Sequence, residues 1–524
     1  ISPATIELNE VKNTTDNYLK IEIPHWNLQT ETDENKGVFG AYVIEEFIAG
    51  EGEYLLAPGC KIEFSIVRTA RKMDDSPYFG NHSSELAARN DFIKQCEDNL
   101  VLETPDPVLN NLFRFSKIRA SESIFSTRGG LMHGPGGYNK YLAAIWANDQ
   151  AEYVNPFFPF LGSIAGNESA LNSFLHFARY MNPDYKPIPS SIIAEGRSYW
   201  NGAGDRGDMA MIAYGAARFA LASGNKEWSK QLWPLVEWCL EYCKQKITSD
   251  GVVASDSDEL EGRFPAGDAN LCTSSLYYDA LISAAFLADE LDKEKALVEN
   301  YKNEANQLRQ AINRFFSAEI EGFKTYRYYK GNTELRSWIC VPLTVGIYDR
   351  AEGTIEALFS PLLWTQSGLL TKAGTKIVWD RSTLYALRGI MGAGNMEIGL
   401  EKLHAFSQNR LLGEHVPYVI EAYPEQDQSH LSAESGLYCR IFTEGMFGIR
   451  PIGLNSFRCT PRLPSDWDTM ALRKIRAFGM SWDLEIHNEG ENDRVVLKDI
   501  VGSIIYDKSL RSGSTHEINF LDGI

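Results

Sequence analysis

Over the first hundred or so positions, apolar residues come in short runs rich in β-branched and aromatic side chains, broken by Gly, Pro and Asn. The runs at 18–23, 38–47 and 61–67 are the clearest, and such runs predict strands, here of an antiparallel β-sandwich. From about Pro107 the period lengthens. Tyr277, Ala280, Leu281, Ala284, Leu287, Ala288 and Leu291 mark one face of a helix, by the i, i+3, i+4, i+7 rule. Leu297, Tyr301, Ala305, Leu308, Ile312 and Phe315 mark the next. Beyond Pro451 short alternating runs return and predict strands to the end of the chain.

The helical stretch predicts pairs: 108–126 with 149–162, 169–180 with 208–223, and 226–246 leading into 268–291 and its successor. Then come 337–349 with 354–364, followed by 381–392, 396–408 and 432–446. Loops between them are very unequal, unlike a solenoid of fixed period. Long ones rich in Gly, Trp and acids fall at 127–147, 183–206, 250–267, 366–380 and 412–431. They alternate with short connections, which places them on one face, and loops that long in a compact domain are usually functional. The expected layout is a β domain at 1–104, a helical domain at 105–450 and a small β domain at 451–524.

Composition narrows the partners. A formal net charge of −19 argues against nucleic acid and anionic membrane surfaces, both of which carry phosphate. No run is read as a membrane span, which takes ~18 apolar residues. Eight cysteines in 524 residues are read as free thiols rather than a disulfide framework. Aromatics reach 12%, with 11 Trp and 24 Tyr, a richness that suits stacking on sugar rings. The chain starts at Ile1, and a secreted or periplasmic protein with its leader removed is expected.

Glycosidic bond cleavage needs one carboxylic acid to protonate the leaving oxygen and one carboxylate to activate water or attack the sugar. Four segments put acids in long loops. Trp146-Ala147-Asn148-Asp149 enters a helix, which Asp149 could also cap. Asp256 to Phe264 carries Asp256, Asp258, Glu259 and Glu261, and crowded acids raise one another's pKa. Trp379-Asp380-Arg381 starts a helix, where Asp380 has capping as its simplest role. Glu421-Ala422-Tyr423-Pro424-Glu425 precedes Ser432-Ala433-Glu434-Ser435.

In this order and spacing, the segments resemble the six-hairpin glycosidases, the superfamily of glucoamylases, trehalases and α-L-rhamnosidases. That resemblance implies an (α/α)6 barrel between an N-terminal β-sandwich and a C-terminal β domain. In glucoamylase-like members a Trp-x-Arg-Asp segment sets its Asp on the terminal sugar; the match is Trp146–Asp149, with Asn148 in place of Arg. Trehalase-like members carry Trp-Asp-x-Pro and then a Glu-x-Tyr segment with the catalytic base. The matches are Trp379-Asp380 and Glu421-Ala422-Tyr423, with Ser382 at the Pro position. The class has its general acid before the sixth helix, here within Asp256–Glu261, and Pro464-Ser465-Asp466-Trp467 looks like the start of its closing sandwich. Pro135-Gly136-Gly137 echoes trehalase, but Tyr138-Asn139 follows in place of Arg-Phe. The trehalase glycine run is missing near Glu434, and the rhamnosidase signature is half present.

The expectation is a glycoside hydrolase that releases a non-reducing terminal sugar from an α-linked oligosaccharide or polysaccharide with inversion. Glu261 is the expected general acid, with Asp258 and Glu259 as rivals. Glu421 is the expected base, with Glu434 in reserve. Trp146, Asp149, Trp200, Asp205, Arg206, Trp379 and Asp380 are expected to bind the sugar. No metal or organic cofactor is called for. The rivals are a phosphorylase, a non-catalytic glycan-binding protein, and a polysaccharide lyase. A lyase would need more basic side chains than Arg197, Arg206, Arg263, His133 and His430 supply.

Overall fold

The computed structural model describes residues 4–34, 40–78, 82–127, 129–135, 144–193, 198–412, 417–423 and 432–521. Arg197, His430, Glu425 and the 136–139 stretch lie outside the described residues. The chain forms two compact units, Ile1–Gln95 and Cys96–Ile524.

The first unit holds an antiparallel sheet in the order Ala4–Lys12, Lys61–Lys72, Tyr42–Ala49, Asn27–Glu31, and a second pair, Leu19–Ile23 with Gly52–Leu56. Among the described residues, Val43 and Val67 of the larger sheet and Ile23 and Leu56 of the smaller are its buried apolar residues. The strands at 4–12, 27–31 and 52–56 escape the sequence pattern because nearly all their residues are exposed or only partly buried. A helix, His82–Asp98, stands where only strands are expected. Its helix-forming residues carry little amphipathic signal.

In the second unit the helical segments alternate along the chain between two kinds. Pro107–Glu122, Ile164–Ala178, Lys226–Gln245, Lys295–Phe316, Ala351–Leu358 and Met396–Leu412 bury one face. The segment after each of them is buried nearly all round: Ala147–Val154 with Phe158–Leu161, Asp208–Ser223, Leu271–Glu290, Ser337–Thr344, Asp380–Gly392, and Ala433–Met446. These buried segments touch one another in chain order, and the last touches the first. Leu271–Glu290 is long and apolar enough to cross a membrane, contrary to the expectation that no run reaches that length; it lies in the core, which accounts for its composition. All eight cysteines are free, and only Cys60 is exposed.

The chain enters every fully buried segment from a long connection, so the N-terminal ends of these segments collect the candidate residues. Close approach is part of the design. A Cβ on Gly215 would stand 1.6 Å from the carbonyl oxygen of Ala151, and one on Gly436 would stand 2.9 Å from Val154. Both glycines therefore let neighbouring helices close on Ala147–Val154. That segment is a π-helix, a wide turn often found at functional sites.

Deeper in the same unit lies a second ionic cluster. Glu444 accepts from Arg218 at 3.1 Å, Arg388 at 3.2 Å and Arg440 at 2.5 Å, while Asp279 takes Arg218 and Arg450, each at 2.7 Å. Arg440 also donates to the backbone carbonyls of Glu152 (2.6 Å) and Tyr153 (3.0 Å), tying this cluster to the π-helix. Burial alone would raise the Glu444 carboxyl, but Arg440, Arg388 and Arg218 outweigh it and hold it down at about 2, from 4.5. A depressed carboxyl stabilises the fold above its unfolded pKa, and that contribution is lost as pH falls toward 2. Glu444→Gln is therefore expected to cost on the order of 3 kcal/mol at pH 7. In denaturant titrations the difference from wild type should shrink between about pH 4.5 and pH 2.

Beyond the helices, Ile504–Arg511, Asn492–Asp499, Trp482–Glu489 and Thr469–Ile475 form a sheet completed by Val101–Glu103. A smaller sheet joins Ile449–Pro451, Ser456–Cys459 and His516–Asn519. Phe457 stacks on Phe478 and Trp482 in this part of the core.

Candidate active site

Four of the predicted acids meet at one cation, Arg381, in the first turn of Asp380–Gly392. Its guanidinium donates to Glu259 at 2.8 Å, to Glu434 at 2.6 and 3.2 Å and to Asp149 at 3.3 Å, and lies 3.5 Å from Glu421. The site thus draws on the π-helix (Asp149), the 246–270 connection (Glu259), the strand Ala422–Tyr423 through its neighbour Glu421, and the helix Ala433–Arg440 (Glu434). Helix N-termini carry partial positive charge, which favours carboxylates at this end.

Local folding fixes each member. Val378 and Trp379 pair with Tyr423 and Ala422, and Asp380 N donates to Glu421 O at 3.0 Å. Asp380 takes Arg410 on both oxygens (2.5 and 2.8 Å) and the Ile420 amide at 3.1 Å. It is therefore a bolt for the strand beside Glu421 rather than the sugar ligand expected, and its side chain does not cap its helix. Asp149 does not cap its helix either; its carboxylate goes to Arg381.

The loop acids separate into distinct roles. Glu259, almost fully buried, takes Arg381, the Tyr153 hydroxyl and Asn148 at 3.5 Å. Asp258, also buried, faces Arg336 at 3.7 Å. Burial raises its carboxyl to about 6 against the pull of Arg336. Glu261 is more accessible than Asp258 and Glu259, its side chain 26% exposed, and stands between Arg206 at 3.3 Å and Arg263 at 3.4 Å. Asp205 is spent on the Tyr242 hydroxyl (2.8 Å) and the Gly207 amide (2.9 Å), and burial pushes it up to about 6. Arg206 is fully buried and paired with Asp208 at 2.9 Å. Neither Asp205 nor Arg206 offers the free contact expected of a sugar ligand, because both are saturated below the surface.

The aromatic candidates gather as well. Trp146 and Trp200 are half-buried, with ring centroids 5.2 Å apart, and the Arg206 guanidinium lies 5.7 and 5.8 Å from them. Trp379 is almost covered, by Arg263 at 5.3 Å and Arg381 at 4.9 Å.

Acids outnumber cations at Arg381, and burial sets their protonation. Burial raises Asp149 well above the ordinary carboxylate range. Burial likewise pushes Glu421 up to about 7, helped by Glu434 and Glu261 and opposed by Arg381 and Arg263. Just below, burial raises Glu152 to about 8, where it holds the Tyr385 hydroxyl. His133 is buried and pushed down to about 3 by desolvation, so it stays neutral. Among the described residues, no group of three or more His, Cys, Asp or Glu is arranged to hold a metal ion.

Arg381, Tyr153, Asn148 and Glu152 belong to the site without being expected there. One signal is present in the sequence: acids gathered from several loops into one buried space need a cation, and an arginine comes directly after Trp379-Asp380.

No family model matches the chain, and no curated protein matches it. Solved structures do match in fold. A sialidase aligns with 98% of this chain at 11% identity and a TM-score of 0.60. A GH78-family rhamnosidase of Bacillus sp. GL1 aligns with 96% at 12% identity and 0.55. A bacterial glucoamylase complexed with acarbose aligns with 82% at 13% identity and 0.54. The chain spans 61% of the sialidase, 50% of the rhamnosidase and 76% of the glucoamylase. The fold is six-hairpin glycosidase-like.

Proposed function

We propose that the chain is a glycoside hydrolase that releases a terminal sugar from an α-linked oligosaccharide or glycan with inversion. Its helical part, 105–450, is on this reading an (α/α)6 barrel, preceded in sequence by a β-sandwich and followed by a small β domain. The closed order of contacts among the buried segments supports the barrel. One observation carries the function: Asp149, Glu259, Glu421 and Glu434 are gathered on one guanidinium with Glu261 beside them. Such a concentration of carboxyls is costly to bury, and two-carboxylate chemistry gives it a use.

Access divides the labour. Glu259 and Glu434 are sealed against Arg381 and hold it in place. Glu261 is partly exposed, and Glu421, though buried, is less enclosed than Glu259 and Glu434; we assign them as acid and base respectively. A base with its pKa near 7 is well matched to neutral pH. Asp149 and the Trp146–Trp200 pair bind the terminal sugar, by hydrogen bond and by stacking.

A panel of 4-nitrophenyl α-glycosides tests this. Turnover of one sugar is expected, without added phosphate, with the β-anomer appearing first by NMR. A strict phosphate requirement would make the chain a phosphorylase, and an unsaturated product from a uronate polymer would make it a lyase. Oligosaccharide binding with no turnover, unchanged in Glu421→Gln, would make it a binding protein.

A further inference from the structure

Glu261 sits on a backbone that needs holding. Its φ is +58° and that of Gly262 is +75°; a left-handed backbone is unfavourable for a residue with a Cβ and persists only where its surroundings over-determine it. The turn is built on Asp258, whose Oδ1 accepts from the Leu260 amide at 2.9 Å and whose carbonyl accepts from the Glu261 amide at 2.9 Å. The loop returns through Phe264 and Pro265.

A single side chain from a distant segment reaches both ends of this loop. Arg336 Nη1 donates to the Pro265 carbonyl at 3.0 Å, and Nη2 lies 3.7 Å from Asp258 Oδ2. The guanidinium is 98% buried, between the rings of Tyr328 at 4.8 Å and Phe264 at 5.1 Å. Its own backbone is anchored: Arg336 bridges Lys372, and Ser337 N donates to Thr371 O at 3.0 Å. Three polar atoms in the cluster, Arg336 Nε and Nη2 and Asp258 Oδ2, make no close hydrogen bond, and the Tyr328 hydroxyl turns to Asp258. Two of the three face each other across the 3.7 Å gap, as donor and acceptor.

We propose that Arg336 is a positioning residue that clasps the 258–265 loop and thereby aims Glu261 at the leaving-group oxygen. The inference rests on Glu261 being the general acid. Arg336 touches no reacting atom; it acts through the loop. Small misplacements of a catalytic group can cost about 10²-fold in rate.

The test uses two leaving groups on the sugar that the panel identifies. A benzyl α-glycoside needs protonation to depart, and a 2,4-dinitrophenyl α-glycoside does not. Arg336→Met should lower kcat by roughly 10²-fold on the first and less than about threefold on the second, with KM little changed. Arg336→Lys should recover part of the loss. Amide exchange at Leu260 and Glu261 should quicken in Arg336→Met while helix Leu271–Glu290 stays protected. Equal losses on both substrates, or unchanged exchange at 260–261, would overturn the clasp. If Arg336→Met does not fold, Tyr328→Phe is read in the same way, with the same directions. If the wild type turns over no glycoside at all, the proposed function fails, and the exchange measurement alone decides whether the clasp exists.

Discussion

Glu421→Gln lowers kcat/KM by roughly 10³-fold while leaving the fold intact. The substitution keeps the shape and one oxygen but removes the ability to take a proton from water. Glu421→Ala should lose as much, and azide should restore turnover to it as an inverted β-glycosyl azide, because azide attacks without a base. The same change should raise stability at alkaline pH. Burial raises the Glu421 carboxyl to about 7, from 4.5, so between those values the folded state binds the extra proton. Stability then falls as pH climbs through that window. Removing the carboxyl removes the loss, a gain on the order of 1–3 kcal/mol at pH 8. Urea melts at pH 5 and pH 8 check it: little difference at the first, a more stable variant at the second.

The largest combined effect belongs to Arg381. Arg381→Met strips the shared cation from Asp149, Glu259, Glu421 and Glu434, all within 3.5 Å of it. Breaking a buried ion pair by removing one partner typically costs about 3–5 kcal/mol, and here one removal leaves four carboxyls unpaired. The protein should lose all measurable activity and melt far earlier at pH 8 than at pH 5, since low pH lets the stranded carboxyls take protons. Arg381→Lys keeps the charge but not the fork that reaches four acids at once. It should restore much of the stability and little of the activity. Thermal melts at the two pH values, with kcat beside them, separate the two contributions.

Much of this architecture is legible in residue patterns, and the misses have physical causes. The helices of the second unit follow their apolar stripes closely: Tyr301, Ala305, Leu308 and Ile312 are buried in Lys295–Phe316 as expected. Fully buried helices such as Asp208–Ser223 are still legible, because their lengths exceed any strand. His82–Asp98 is not, having almost no apolar face. In the site, proximity of acids to Trp in long loops leads to Glu421, Glu259, Asp149 and Glu434 together. What residue order does not encode is saturation. Asp380 and Asp205 look like free acids until Arg410 and Tyr242 are placed beside them. Arg381 stands in the Trp379-Asp380-Arg381 segment, but its role emerges only when segments up to 232 positions apart meet.

The pH dependence of kcat/KM with the best aryl glycoside, between pH 5 and 9, puts the pairing of Glu421 with Glu261 to its most direct test. With Glu421 as base, the rate should climb tenfold per pH unit at low pH and level off above about 7. Glu261→Gln should keep that limb at its lower overall rate. A rate that instead falls as pH rises through 7 would give Glu421 the acid's role. The absence of any ionisation near 7 would take Glu421 out of the reaction, and the account of the site with it.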